Sequence, residues 1–276
     1  MSMMMNVLQR LGIVVALSLC LLAIACSDTE GPKKLLQERG IPYTPESFLS
    51  AVVAGETDIV DLFLKAGMPV DIPDADGLTP LMLASSKGNV QVVALLLGKG
   101  ASLQAATKNG DTALMMAAAR GNYDAVQLLL AGGAQINATN SAGITPLFLA
   151  VSGSSIRNYP NNRHFAVAKL LIDKGAQVNT AEKKHGQSPL MMAAVQGDSE
   201  MLKLLLAAKA DVKQQSAIGF TPLMYAILEG RPECVAILLE NGSDVHHQSS
   251  NGTTPIQLAE RLKKNEIAAM LRKAAR

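Results

Sequence analysis

An all-α solenoid of about seven helix-turn-helix repeats joined by short finger turns is the fold class the sequence predicts for residues 44–276, and three observations predict it. A phrase recurs as LTPLMLASSKGN at Leu78, DTALMMAAARGN at Asp111, ITPLFLAVSGSS at Ile144, QSPLMMAAVQGD at Gln187 and FTPLMYAILEGR at Phe220. Its second-position Thr or Ser falls at 79, 112, 145, 188, 221 and 254, in steps of 33, 33, 43, 33 and 33 residues, and self-similarity at that period marks a repeat array. Composition agrees, with no Trp, five Phe, four Tyr and thirteen Met among much Ala and Leu, which favours helix over an aromatic-rich β-sandwich. Gly, Thr and Pro then punctuate every copy at the same offsets, as helix starts and stops require.

The first 25 residues stand apart. Met1 to Arg10 is a short segment ending in a cation, Leu11 to Ala25 is an apolar run, and small Ala25 precedes Cys26, the three regions of an export signal. The run is shorter than the about 20 residues that span a bilayer, so cleavage is expected; an uncleaved anchor is the alternative. By itself Cys26 could be a core residue, half of a disulfide, a metal ligand or a lipid attachment point. Leu22-Ala23-Ile24-Ala25-Cys26 resembles the lipobox of bacterial lipoproteins, although Ala23 stands where that family prefers Leu. The resemblance implies that the Cys26 thiol carries a diacylglycerol and its amine a further acyl chain. It also implies, with Ser27 rather than Asp next, an outer-membrane address facing the periplasm. More than one chain makes a stable anchor. Residues 26–43 then read as a tether. Cys20 leaves with the signal and Cys234 alone remains, so no intramolecular disulfide framework is available to the mature chain.

Within each unit, Gly77, Gly110, Gly143, Gly186, Gly219 and Gly252 sit two residues before the Thr or Ser, where a tight turn wants positive φ. Thr79, Thr145, Ser188, Thr221 and Thr254 are placed to N-cap helices that begin at a Pro. Gly55, Gly88, Gly121, Gly197 and Gly230 close those helices. Second helices follow, with Leu triplets such as Leu95 to Leu97 and Leu204 to Leu206 facing the core. A degenerate copy, ESFLSAVVAGET from Glu46, opens the array without finger or Thr-Pro, and RLKKNE, Arg261 to Glu266, gives the last copy a polar end. Such atypical ends suit caps.

These residues resemble the ankyrin repeat family over residues 44–276. The family usually has His after Thr-Pro-Leu, bracing neighbouring repeats; this chain has Met82, Met115, Phe148, Met191, Met224 and Gln257. Thioethers at repeat spacing suit Cu(I), but flexible Met also fills core gaps. The resemblance implies a protein partner bound by fingertips and the exposed side of the first helices. On the fingers this gives Lys108, Asn109, Lys184, His185, Ile218 and Phe220, and on the helices Arg120 and Leu228. Ile218, Phe220 and Leu228 could form an apolar anchor, or Phe220 could pack against the adjacent finger. The 43-residue step holds nine extra residues around SGSSIRNYPNNRH, Ser152 to His164, and one more in the finger AEKKHGQ. Arg157, Tyr159 and Arg163 offer contact chemistry in that insertion, which a surface loop also tolerates as a neutral feature.

Other classes lack residues to carry them. The net charge of +2, or +1 without residues 1–25 (Lys and Arg 24, Asp and Glu 23), is no nucleic-acid footprint. His164, His185 and the pair His246-His247 have no Cys or carboxylate at zinc-site spacing, and the paired histidines read as solvated turn. Cys234 takes the slot of Val92 and reads as a small buried hydrophobe. No triad, phosphate-cradling loop or carboxylate pair is present. The expectation is a monomeric, non-enzymatic binding solenoid with no cofactor or metal, lipid-anchored in the bacterial envelope. It would occlude an incoming toxin as an immunity protein or support a periplasmic enzyme.

Overall fold

Helix punctuation sets the architecture. The structure, a computed structural model, describes residues 29–153 and 163–276. A helix over residues 29–38, α1, precedes seven helix pairs. They are α2 (Pro45–Ala54) with α3 (Thr57–Lys65), α4 (Pro80–Lys87) with α5 (Val90–Gly98), α6 (Ala113–Ala119) with α7 (Tyr123–Ala131), and α8 (Pro146–Gly153) with α9 (Arg163–Asp173). Then come α10 (Pro189–Gln196) with α11 (Ser199–Ala207), α12 (Pro222–Leu228) with α13 (Pro232–Glu240), and α14 (Pro255–Arg261) with α15 (Asn265–Ala274). First helices stack on first helices and second on second, so two layers enclose one continuous core. Among the described residues no helix is long and apolar enough to cross a membrane.

Helix starts follow the side chains. The hydroxyls of Thr79, Thr112, Thr145, Ser188 and Thr254 accept from the backbone N–H three residues on, at 3.1–3.4 Å. Thr221 has the same extended backbone, but its buried hydroxyl makes no hydrogen bond; Pro222 at the first helical position is enough to start the helix. The first unit does own a Thr-Pro start. Thr44 accepts from the Ser47 N–H at 3.2 Å, and the signal lies two residues ahead of the repeat register because α2 is ten residues long where α4 has eight.

Methionine at the position after Thr-Pro-Leu or Ser-Pro-Leu serves the start of its own helix and not the neighbouring repeat. The Met82 and Met191 sulfurs accept the backbone N–H of Thr79 and Ser188 at 3.5 Å, where Gln257 offers an oxygen to Thr254 at 3.0 Å. Sulfur is the weaker acceptor, yet it satisfies a buried donor while the rest of the side chain fills the core.

Three lines of hydrogen bonds join the units. On the first, side chains at the start of the second helices reach back to the carbonyls that end the preceding first helix. Asn89 Nδ2 donates to the Val52 and Val53 oxygens at 2.8 and 3.1 Å, and Asn122 Nδ2 to those of Ser85 and Ser86 at 2.8 and 2.9 Å. His164 meets Ala119 O at 3.2 Å and Arg231 meets Val195 O at 3.4 Å. A second line links the loops after the second helices: Ser102 N to Asp71, Gln177 N to Asn137 and Asp211 N to Asn179, at 2.8–3.0 Å. The fingers make the third.

Of residues 26–43, expected as tether, Cys26 to Asp28 lie outside the described residues, and 29–43 are mostly built into the domain. Leu36 of α1 is fully buried. Tyr43 donates its hydroxyl to Ala66 O at 3.0 Å and stacks on Phe63 with ring centroids 5.7 Å apart. The insertion is bounded by Gly153 and Arg163, so Arg163 opens α9 rather than lying in a loop, while Arg157 and Tyr159 fall outside the described residues.

Asn122→Ala strands Ser86 O and leaves Ser85 O only the Gly88 N–H at 3.3 Å, an unpartnered buried carbonyl costing about 1–3 kcal/mol. The expected loss of unfolding free energy in urea is about 2 kcal/mol, whereas Lys108→Ala, at an exposed fingertip, should lose clearly less.

Candidate functional site

Five of the fingers are tight turns tied by one side-chain acceptor at the base, and the last is tied by Asn251 at its tip, which accepts from the Thr253 N–H at 3.1 Å. Asp74 Oδ1 accepts from the N–H of Asp76 and Leu78 at 2.9 and 2.8 Å, and Asn140 Oδ1 from Ala142 and Ile144, both at 3.0 Å. Thr107 and Ser216 each take the N–H four residues on, at 3.1 and 3.2 Å. The finger with one extra residue keeps this lock by lengthening the side chain. Glu182 Oε1 accepts from His185 at 2.7 Å and from Gln187, five residues on, at 3.0 Å, while Oε2 accepts from Lys184 at 2.7 Å. Burial pushes the Glu182 pKa up, but the three backbone donors and nearby His185 outweigh it, leaving the carboxyl below its ordinary value.

Neighbouring fingers are then stitched main chain to main chain. Ser141, Lys183 and Ala217 donate N–H to the Asn109, Ala142 and His185 oxygens at 2.8 Å, and Ser250 to Ile218 O at 3.1 Å. With the backbone committed to this ladder, the tips present their side chains in a fixed row. Lys108, Asn109, Lys184 and His185 are all exposed there. Gly219 shows how close the fingers lie. Its φ is +73°, and a Cβ on it would stand 2.6 Å from the Ser250 nitrogen.

The predicted anchor divides. Ile218 at the fingertip is 54% exposed and Leu228, ending α12, is 39% exposed, but Phe220 is only 9% exposed. The Phe220 ring packs edge-on against Tyr225 with centroids 5.6 Å apart, so it supports the finger from beneath and is not part of the free surface. Its slot holds half-buried Leu78 and Ile144 in two other units but Asp111, Gln187 and Thr253 in three more, also half-buried, so position and not residue type marks it as turned partly inward. Arg120, just after α6, and Arg163, at the start of α9, are exposed. Arg163 lies across a groove of about 220 Å³ with Asn122 and Tyr123, between the starts of second helices. Two side chains escaped the sequence reading: Lys183, whose Nζ donates to Ser141 O at 3.3 Å, and Glu182. The exchange of Asp, Thr, Asn or Ser for Glu where a residue is inserted could have revealed the second.

The remaining chemistry is structural. His247 is not a freely solvated turn residue, since its Nε2 lies 2.8 Å from Gly219 O, and buried His164 is spent on Ala119. Burial, with Glu233 beside it, pushes the Cys234 thiol up to about 11, which leaves no thiolate for nucleophilic work at neutral pH. Among the described residues no three His, Cys, Asp or Glu converge on a metal position. What the surface offers is a braced row of cationic and polar tips beside exposed aliphatics.

Comparison with known proteins agrees with this geometry. A family profile described as "Ankyrin repeats (3 copies)" matches overlapping stretches 22–107, 48–140, 102–181, 140–216, 158–249 and 190–276. A 53-residue stretch is 45% identical to a putative ankyrin repeat-containing protein of Treponema pallidum (strain Nichols), covering 19% of this chain and 18% of that protein. The chain thus matches under a fifth of that relative's length. The crystal structure of the ankyrin repeat domain of Bcl-3, titled a unique member of the IkappaB protein family, is similar with a TM-score of 0.69 and 30% identity. That likeness covers 83% of this chain and 98% of the other.

Phe220→Ala should cost about 3–5 kcal/mol of stability as a core truncation, against a change within about 0.5 kcal/mol for Ile218→Asp on the surface; thermal melts of the two separate the roles. For Glu182, a depressed carboxyl contributes stability above its unfolded pKa and loses it as pH falls through the folded value. The melting temperature of the native chain should therefore exceed that of Glu182→Gln at neutral pH, and the gap should close on acidification into the carboxylate range.

Proposed function

The chain belongs to the ankyrin repeat family, and from that premise we propose a protein-binding module held by lipid at Cys26 on the periplasmic face of a bacterial outer membrane. Ankyrin repeat domains are generally protein–protein interaction modules. The observation that carries the reading onto this chain is the finger ladder. Because the tips are already fixed by backbone bonds between repeats, a partner meets a preorganised surface and less ordering entropy opposes binding.

The chemistry of the row indicates a folded partner with an acidic rim and an apolar spot. Lys183, Lys184 and His185 crowd one exposed tip, suited to steer and orient carboxylates. Exposed Ile218 sits on the next finger, with Leu228 at the end of the same unit's first helix, and exposed aliphatics of this kind provide the desolvated centre of an interface. The module is non-enzymatic in this reading, and occlusion of a toxin or support of a periplasmic enzyme would each require no more than this surface. The lipid anchor is supported by the abrupt end of the apolar run at Ala25-Cys26.

Two measurements test the proposal. Envelope extracts passed over the chain lacking residues 1–25 should leave a protein that an Ile218→Asp, Leu228→Asp, Lys184→Glu bait retains at least about tenfold less, the loss expected when hot-spot contacts of about 1.4 kcal/mol or more are removed. Equal retention by both baits moves the site elsewhere. Palmitate label should enter the native protein in cells and be lost in Cys26→Ala; label kept by that variant removes the anchor.

A further inference from the structure

We infer that the N-terminal end of the solenoid, α1 and the turn that follows it, is a bilayer-facing surface against which the lipid at Cys26 mounts the first repeat. The inference rests on the proposed anchor and deepens it. Only Ser27 and Asp28 separate Cys26 from the helix over residues 29–38, and three residue steps reach at most about 10 Å fully extended.

The helix gives no further slack, because it is fastened to the first repeat. Leu36 is fully buried. The Thr29 methyl lies 3.9 Å from where a Cβ on Gly67 would stand, and the Tyr43 hydroxyl lies at the same distance from that point. Acyl chains on Cys26 must enter hydrocarbon, and the headgroup layer above it is only about 5–8 Å deep. The start of α1 is therefore held at the headgroups by chain length alone.

The side chains there suit that position. Leu35 is 45% and Tyr43 38% exposed, and Leu35 is about 9 Å along the helix axis from Thr29. Lys33 Nζ sits 5.5 Å over the Tyr43 ring and 3.7 Å from Glu30; Lys34, 3.8 Å from Glu38, and Arg39 are exposed on the same segment. Residues 29–43 carry Lys33, Lys34 and Arg39 against Glu30 and Glu38, a net charge of +1. The Lys33–Tyr43 pair on one flank of α1 and Leu35 on the other, two residues apart on the helix, are residue types of a membrane interface, the ring and stems lying at headgroup depth and the charges meeting anionic lipid. The seven stacked units then project into the aqueous space.

The chain has no Trp, so one introduced Trp reports its own surroundings. Full-length mature protein carrying Cys234→Ala is coupled through Cys26 to maleimide-lipid vesicles of phosphatidylethanolamine and phosphatidylglycerol, with or without lipids brominated high on the acyl chain. This coupling does not depend on lipidation in cells, so failure of the anchor at Cys26 and failure of the present inference are read separately. Leu35→Trp emission should fall about twofold or more on the brominated vesicles, as a residue at interface depth requires, while Lys273→Trp on α15 should not change. Insertion of about 20 Gly and Ser residues between Asp28 and Thr29, spanning about 25 Å on average, should abolish the quenching. Absence of quenching at Leu35→Trp, equal quenching at both positions, or quenching that survives the insertion overturns the short-tether mount. Emission of the uncoupled Leu35→Trp protein that varies with its concentration would assign the surface to a second copy of the chain and overturn it equally.

Discussion

The capture of one repeat's helix-end carbonyls by a side chain of the next is the interaction on which the rest of the structure depends. A short helix leaves its last carbonyls without intrahelical partners, and helices of seven to eleven residues are almost all ends. Asn89 and Asn122 solve this for α2 and α4 by donating two bonds each across the repeat boundary. A unit without its successor would therefore expose an apolar face and strand polar groups as well. Stability in such an array belongs to the interfaces as much as to the units, and both the continuous core and the fixed row of fingertips follow from that coupling.

Punctuation residues made the solenoid legible, because each acts locally. Gly needs only a positive φ, Pro only a first helical turn, and Thr only an N–H three residues on, so their spacing reads out helix starts and stops directly. Legibility ended where long-range packing decides. The α1 segment TEGPKKLLQE resembles a linker, with Gly31 and Pro32 near its start, yet Pro is tolerated in the first turn and burial of Leu36 against the first repeat supplies what propensity does not. Thr44-Pro45 was hidden by register, since α2 begins two residues early and a strict 33-residue comb passes over it.

At the candidate surface, the exposed tips could be read by position, since repetition assigns every other residue to the core or to a turn. The fate of Phe220 could not be read from residue type, because an aromatic at a fingertip is as good an anchor outside as it is a support beneath. Tyr225 on α12 decides it by receiving the ring edge. Glu182 likewise has meaning only together with the extra residue it spans: a side chain one methylene longer than Asp closes a turn one residue longer.

The fourth unit shows how an array can carry an irregularity without losing its coupling. Nine residues enter between Gly153 and Arg163, a length whose closure entropy grows only logarithmically. The bonds on either side are kept by exchanging residue types. On the near side His164 replaces Asn in meeting Ala119 O at 3.2 Å, and on the far side Gln196 Nε2 donates to Ser152 O at 2.9 Å. A Cβ on Gly153 would stand 2.5 Å from that imidazole, so the chain can leave α8 at this point only by yielding the space to His164. The described residues that flank the insertion thus keep bonds across both repeat boundaries. Coupling between repeats is therefore compatible with an insertion of this length inside one unit, because the bonds that join neighbours are made by residues outside it.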